Sequence, residues 1–124
     1  MAEIRNIVFS ATKTTPTSNT WQLKVQYDCE SSDIELRNDY VFEDWFEVWE
    51  DDPFNDDKLT GKVGSSTFNP STNFVKRTLT TTIDSNRLNT EIGREELYVK
   101  VFLKNVSLTI QMPTKRSTNL HLKP

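Results

Sequence analysis

The strongest constraint on this chain is an alternation nine residues long. Trp21, Leu23, Val25, Tyr27 and Cys29 fall on one side of an extended segment, and Gln22, Lys24, Gln26 and Asp28 on the other. Successive strand side chains point to opposite faces, so a period of two marks a strand with one buried face and one wet face. The period recurs downstream. Leu97, Val99, Val101 and Leu103 alternate with Tyr98, Lys100, Phe102 and Lys104, and Val106, Leu108 and Ile110 alternate with Ser107, Thr109 and Gln111. These last two runs are predicted to pair as a hairpin across a Lys104-Asn105 turn. Segments 3–12 and 74–83 read as weaker strands, the second (FVKRTLTTTI) being rich in β-branched residues that suit a pleated surface.

Turn-forming residues punctuate the chain at 14–20, 30–33, 51–57, 64–73 and 84–95. No stretch carries a helical face over three turns, and only 30–39 and 84–95 leave room for a short helical turn. A chain of 124 residues holds one core. The predicted fold class is therefore all-β: an antiparallel two-sheet sandwich, immunoglobulin-like, of about seven strands. Leu23, Val25, Tyr27, Leu97, Val99 and Val101 are the predicted core. The sandwich is expected to span residues 1–113, with 114–124 as a mobile tail.

From Leu88 through Gly93 to Tyr98 the chain reads LNTEIGREELY. This resembles the turn before the sixth strand of immunoglobulin-like domains, and the resemblance implies that the Tyr98 hydroxyl ties that corner down. The cysteine pair of those domains is absent. Cys29 is the sole cysteine and reads as a small buried hydrophobe.

The most acidic segment is also the most aromatic one. Asp39 to Asp57 holds nine of the eighteen carboxylates and no Lys or Arg, together with Tyr40, Phe42, Trp45, Phe46, Trp49 and Phe54. Alternation places Tyr40, Phe42, Phe46 and Val48 on one face and Val41, Trp45 and Trp49 on the other, with Glu43, Glu47 and Asp51. A strand in a sandwich has one interior face. At least one of Trp45 and Trp49 is therefore expected to be substantially exposed, and these two with Tyr40 are the candidate partner-binding residues. The acids around them suggest a partner with a basic, apolar complement.

Past the strand, Glu50, Asp51, Asp52, Asp56 and Asp57 crowd into eight residues. Such carboxylates repel, and Ca²⁺ relieves the repulsion with six to eight oxygen ligands. The segment FEVWEDDPFNDDKLTGKV resembles the third calcium loop of the protein-kinase-C-type phospholipid-binding sandwich, departing from it in a leading Glu, a short spacing and an inserted Thr60. The resemblance implies ligands at Glu50, Asp52 and either Asp56 or Asp57, and weak Ca²⁺ binding at best. Glu30, Asp33 or Asp84 would have to complete a stronger site. The preferred reading of the same residues is a solvated hairpin turn, because Asp, Asn and Pro are the residues that turns demand.

Other chemistries find little support. The single histidine, His121, lies near the C-terminus, so neither a Ser-His-Asp arrangement nor a multi-histidine centre can be built from one chain. Three glycines, Gly61, Gly64 and Gly93, make no phosphate-cradling loop. No catalytic residues and no cofactor are expected, beyond weak Ca²⁺. Residues 1–57 hold fourteen acids and four bases, a balance of −10, while 58–124 hold four acids and eleven bases, a balance of +7. Within one domain those halves interleave, and the short pairs Lys76-Arg77 and Lys115-Arg116 are too sparse for nucleic acid. Without a basic start followed by an apolar block, and without a long apolar run, a cytoplasmic protein is expected. The functional expectation is a non-catalytic interaction or structural module that docks a protein partner or self-associates through strand 40–49. The alternative is a Ca²⁺-dependent phospholipid- or carbohydrate-binding module built on loop 50–57.

Overall fold

A computed structural model of the chain describes residues 1–88 and 95–122. It contains β1 (Glu3–Lys13), β2 (Thr20–Glu30), α1 (Asp33–Arg37), β3 (Phe42–Glu50), β4 (Asp57–Lys58), β5 (Val63–Phe68) and β6 (Phe74–Asp84). These are followed by α2 (Ser85–Leu88), β7 (Glu95–Asn105), β8 (Ile110–Gln111), β9 (Lys115–Arg116) and β10 (Leu120–Leu122). All pairings are antiparallel. Sheet A has the order β1-β2-β6. In sheet B, β3 and β7 run side by side from Phe42↔Asn105 to Glu50↔Leu97. The other edge of β3 is shared by β4 and β5, and the other edge of β7 by β8, β9 and β10. Ten strands thus fill seven positions, three in one sheet and four in the other. That is the division of an immunoglobulin-like sandwich.

The two inner faces meet in one core. All six predicted core residues are buried, and Phe42, Phe46, Val48 and Leu103 complete the layer from sheet B. Acidic strands of the first half pair with basic strands of the second, as at Asp28↔Lys76, Glu43↔Lys104 and Glu47↔Lys100. Opposite charges facing across a ladder favour this register.

Several expectations need correction. The hairpin closes later than the Lys104-Asn105 turn: residues 106–109 form a four-residue turn, Asn105 pairs with Ile110, and only β8 continues the run as a strand. The Asn105 carboxamide causes this, because its Oδ1 accepts the Leu108 N–H at 2.9 Å and fixes a turn that leaves Val106, Leu108 and Ile110 exposed. The turn-rich stretch 64–73 begins with β5. Gly64, at φ 65°, and Ser65 together oppose Trp45 as a bulge. A Cβ on Gly64 would lie 2.6 Å from the Phe46 ring, so only glycine lets β5 approach the core here. The stretch 114–124, expected as a mobile tail, is strand-paired to β7 through Leu122. Ser117 is buried and exchanges bonds with the Val99 backbone, its N–H donating at 2.9 Å and its Oγ accepting at 3.0 Å. Gly93 of the proposed tyrosine corner lies outside the described residues, and the Tyr98 hydroxyl bonds elsewhere, as shown below. No helix among the described residues is long and apolar enough to cross a membrane.

Candidate functional site

The outer face of sheet B is built from the odd residues of β3 and the even residues of β7. Register puts Trp45 opposite Phe102 and Trp49 opposite Tyr98, with Glu43 opposite Lys104 and Glu47 opposite Lys100 between them. Aromatic rungs therefore alternate with charged ones. The Trp45 and Phe102 rings stack with centroids 5.4 Å apart and planes 4° from parallel, and Trp49 and Tyr98 stack at 6.4 Å. Cations lie over the rings: Lys62 Nζ is 4.2 Å from the Trp45 centroid, Lys100 Nζ 3.8 Å from Trp49, and Arg116 Cζ 3.5 Å from Tyr98. Each such contact contributes about 0.5–1 kcal/mol at a wet surface. Lys62 and Lys58 also pair with Glu43 and Glu47, both at 2.9 Å. The bonds from Lys62 and Ser65 hold the Glu43 carboxyl below its ordinary range.

This arrangement changes two expectations. Neither indole is substantially exposed: both are half-buried, because the neighbouring ring screens one side and a lysine the other. The surround is also not acidic alone: Lys58, Lys62, Lys100, Lys104 and Arg116 gather on this face with Glu43, Glu47 and Glu96.

Tyr40 does not join the two indoles. It lies beyond the other end of β3, in a cleft of about 260 Å³ with Ile34, Leu108, Ile110 and Met112. Here α1 is fixed by a capping box: the Ser32 Oγ accepts the Glu35 N–H, and the buried Glu35 carboxylate accepts the Ser32 N–H at 3.0 Å and the Ala2 N–H at 2.9 Å. The cap presents Ile34 outward, leaving an apolar lip.

The acidic loop follows β3. Glu50 is the last inward-facing residue of the strand and is buried, while Asp52 and Asp57 approach from the loop. One carboxylate oxygen from each of these three lies within 4.8 Å of the others. Asp56 points away: it accepts the Tyr98 hydroxyl at 2.6 Å and the Asp52 N–H at 3.2 Å. Three of the four predicted metal ligands are thus brought together and the fourth is not. The Tyr98 bond also replaces the expected corner contact. Burial first, and then this bond, push the Tyr98 pKa up to about 12, while the same bond lowers that of Asp56. Glu30, Asp33 and Asp84 do not join the cluster. Glu30 pairs with Arg5, and Asp33 accepts Asn73 at 2.9 Å. Thr60, the insertion relative to the calcium loop, is buried with its Oγ1 accepting the Val48 N–H at 3.0 Å.

Inside the sandwich, sequence reasoning missed an ionic tie between the sheets. Asp44 is fully buried between Phe42 and Phe46. It accepts the Tyr27 hydroxyl at 2.6 Å and a two-pronged grip from Arg77, Nε to Oδ2 at 2.8 Å and Nη2 to Oδ1 at 3.1 Å. The guanidinium packs on the Phe68 ring at 3.9 Å. Burial opposes the charge on Arg77, but its bonds to Asp44 prevail and raise its pKa. Burial, and then the neighbouring carboxylate, push the Tyr27 pKa far up. The signal was present in the pattern: Asp44 and Arg77 each occupy an inward position of an apolar face, and each needs a partner there. Cys29 is buried as expected, and burial pushes its thiol up to about 11, away from reactivity. His121 stands on β10 opposite Glu96.

No protein-family model matches the chain, and no curated protein matches it. Among solved structures, an X-ray structure of the Northeast Structural Genomics Consortium target SoR45 is similar at a TM-score of 0.42 and 9% identity, covering 99% of this chain and 86% of that one. Likeness at that level carries no argument about function.

Proposed function

We propose that this domain is a non-catalytic interaction module that docks a protein partner through the outer face of sheet B. The observation that carries this reading is the aromatic and cationic ladder Trp45–Phe102 and Trp49–Tyr98, set on a face the core does not use. Aromatic and arginine side chains are the groups that most often anchor interfaces. Lysine stems covering the rings keep the free face soluble and can move aside, because they are flexible. A photoreactive residue at Thr67, exposed opposite Glu43, tests the face in living cells. Adducts from position 67, absent from the control position Thr80 on sheet A and lost in Trp45→Ser/Trp49→Ser, are the expected result. No adduct at Thr67, or equal adducts at Thr80, removes this function.

The convergence of Glu50, Asp52 and Asp57 favours a second reading, a Ca²⁺-dependent module for phospholipid or carbohydrate. Weak sites of this kind bind at about 10⁻⁴–10⁻³ M. Calcium at about 100 times its dissociation constant would then add about 2.7 kcal/mol of stability over an EDTA control. A melting temperature indifferent to several millimolar Ca²⁺ ends the reading.

A further inference from the structure

The loop at 51–57 is the complement, in charge and chemistry, of the face described above. Phe54 at its tip is 92% exposed, more than any other large apolar residue described. It is not on a loose strap. The Phe54 N–H donates to Asp52 Oδ1 at 3.0 Å and the Asp52 N–H to Asp56 Oδ1 at 3.2 Å. Asp51 accepts Asn119 at 2.6 Å, and Asp56 accepts Tyr98 at 2.6 Å. Four bonds thus hold the ring outward among Asp51, Asp52, Asp56 and Asp57. A ring held in this way loses little freedom on binding.

The face of sheet B offers what this loop lacks. It carries five cations, Lys58, Lys62, Lys100, Lys104 and Arg116, against three acids, Glu43, Glu47 and Glu96, and between them the half-buried rings of Trp45, Trp49 and Phe102. The loop cannot lie across its own face, because the Asp56–Tyr98 bond anchors it at the end of that sheet. We propose that loop 51–57 of one copy docks, Phe54 foremost, onto the outer face of sheet B of a second copy. This rests on the docking reading above and names its partner. Lys62 and Lys100 would turn from the indoles to the aspartates as the phenyl ring takes their place. The two surfaces differ, so the contact is heterologous and repeats head to tail unless a ring closes. A seven-residue loop on a flat face makes a small interface, so the association is weak and salt-sensitive.

Sedimentation velocity on the full chain tests this, using Phe54→Ser and Lys62→Glu/Lys100→Glu, with circular dichroism and thermal melts to confirm folding. Phe54 touches no core, so that variant reports on the contact even if the lysine variant misfolds; Lys62→Ser/Lys100→Ser then replaces the latter. Wild type is expected to associate with rising concentration at low salt, and each variant at least about tenfold more weakly. An equimolar mixture of the loop variant and the face variant should form dimers and stop there, since only one sound loop and one sound face remain. Wild type staying monomeric at about 1 mM, the limit of a weak contact, overturns the proposal. So does Phe54→Ser associating as tightly as wild type, or a mixture no more associated than its components. If wild type is monomeric while Thr67 still captures another protein, self-docking is refuted and the docking function stands. If Thr67 captures nothing as well, both fall.

Discussion

Removing the cation from the buried Tyr27–Asp44–Arg77 cluster is the sharpest test of how the two sheets are held together. In Arg77→Met the Asp44 carboxylate keeps only the Tyr27 hydroxyl, at a site with no exposure to water. Breaking a buried pair by deleting one partner costs about 3–5 kcal/mol, because the remaining charge loses its compensation without regaining water. For a domain of this size that is a large share of the usual 5–15 kcal/mol, and it lowers Tm by roughly 10–20 °C. Asp44→Leu should cost less, since the Arg77 side chain is 17% exposed and its end can reach solvent. The double variant Asp44→Leu/Arg77→Met removes both charges and should recover most of the loss, so the cycle shows strong coupling. Urea unfolding at constant m-value measures all three. An Arg77→Met deficit below about 1 kcal/mol, or a double variant costing the sum of the singles, would refute this account of the cluster.

Val99→Ala, at a fully buried central position of β7, should cost about 2 kcal/mol or more in urea unfolding. Gly64→Ala should cost about 1–3 kcal/mol by the same measurement, combining the strain of a positive φ with the 2.6 Å approach to Phe46. Tyr98 has a folded pKa raised to about 12 from 10.0, so its contribution is complete below 10 and declines as pH rises towards 12. In a spectrophotometric titration its ionisation should move back towards 10.0 in Asp56→Ala, which removes the carboxylate beside it.

The core was legible where the alternation runs unbroken, in β2 and β7, because one buried face imposes one phase. It was faint in β1 for a visible reason. Asn6, at φ 55°, and Ile7 form a bulge opposite Tyr27, so the inward set changes from Ile4 to Phe9, from even numbers to odd. The strands β8, β9 and β10 are too short for periodicity to place, and side-chain bonds from Asn105 and Ser117 hold the chain beside β7 instead. Of the candidate site, the face of Trp45 and Trp49 was readable from β3 alone. Its cationic cover was not, since Lys100 comes from β7, Arg116 from β9 and Lys62 from the bend before β5. The separation of Tyr40 from the indoles depends on where β3 begins, the boundary that periodicity fixes least well.

The sheet edges narrow the routes by which this domain can associate, and so say which way salt should act. Among the described residues β1 pairs only with β2, yet its open side is interrupted by the Asn6–Ile7 bulge and bears Arg5 and Lys13, features that deter strand addition. The far side of β6 meets β5, where a Cβ on Gly64 would stand 3.2 Å from the Thr80 carbonyl oxygen. Sheet B ends in strands of two or three residues on the β7 side, and of two and six on the β3 side. Extended pairing is blocked at most of this perimeter. Association is left to the ladder face, where charge leads, or to the cleft at Tyr40, where apolar contact leads. These routes respond oppositely to ionic strength. A contact led by lysines and aspartates weakens as the Debye length falls from about 10 Å at 0.1 M to about 3 Å at 1 M. A contact led by Ile34, Leu108 and Ile110 holds or strengthens in sulfate, which is excluded from apolar surface. Self-association measured across a sodium chloride series and a sulfate series should therefore fall in both if the ladder face is the docking surface. Association that rises in sulfate and ignores chloride would move the interface to Tyr40 and take Trp45 and Trp49 out of it.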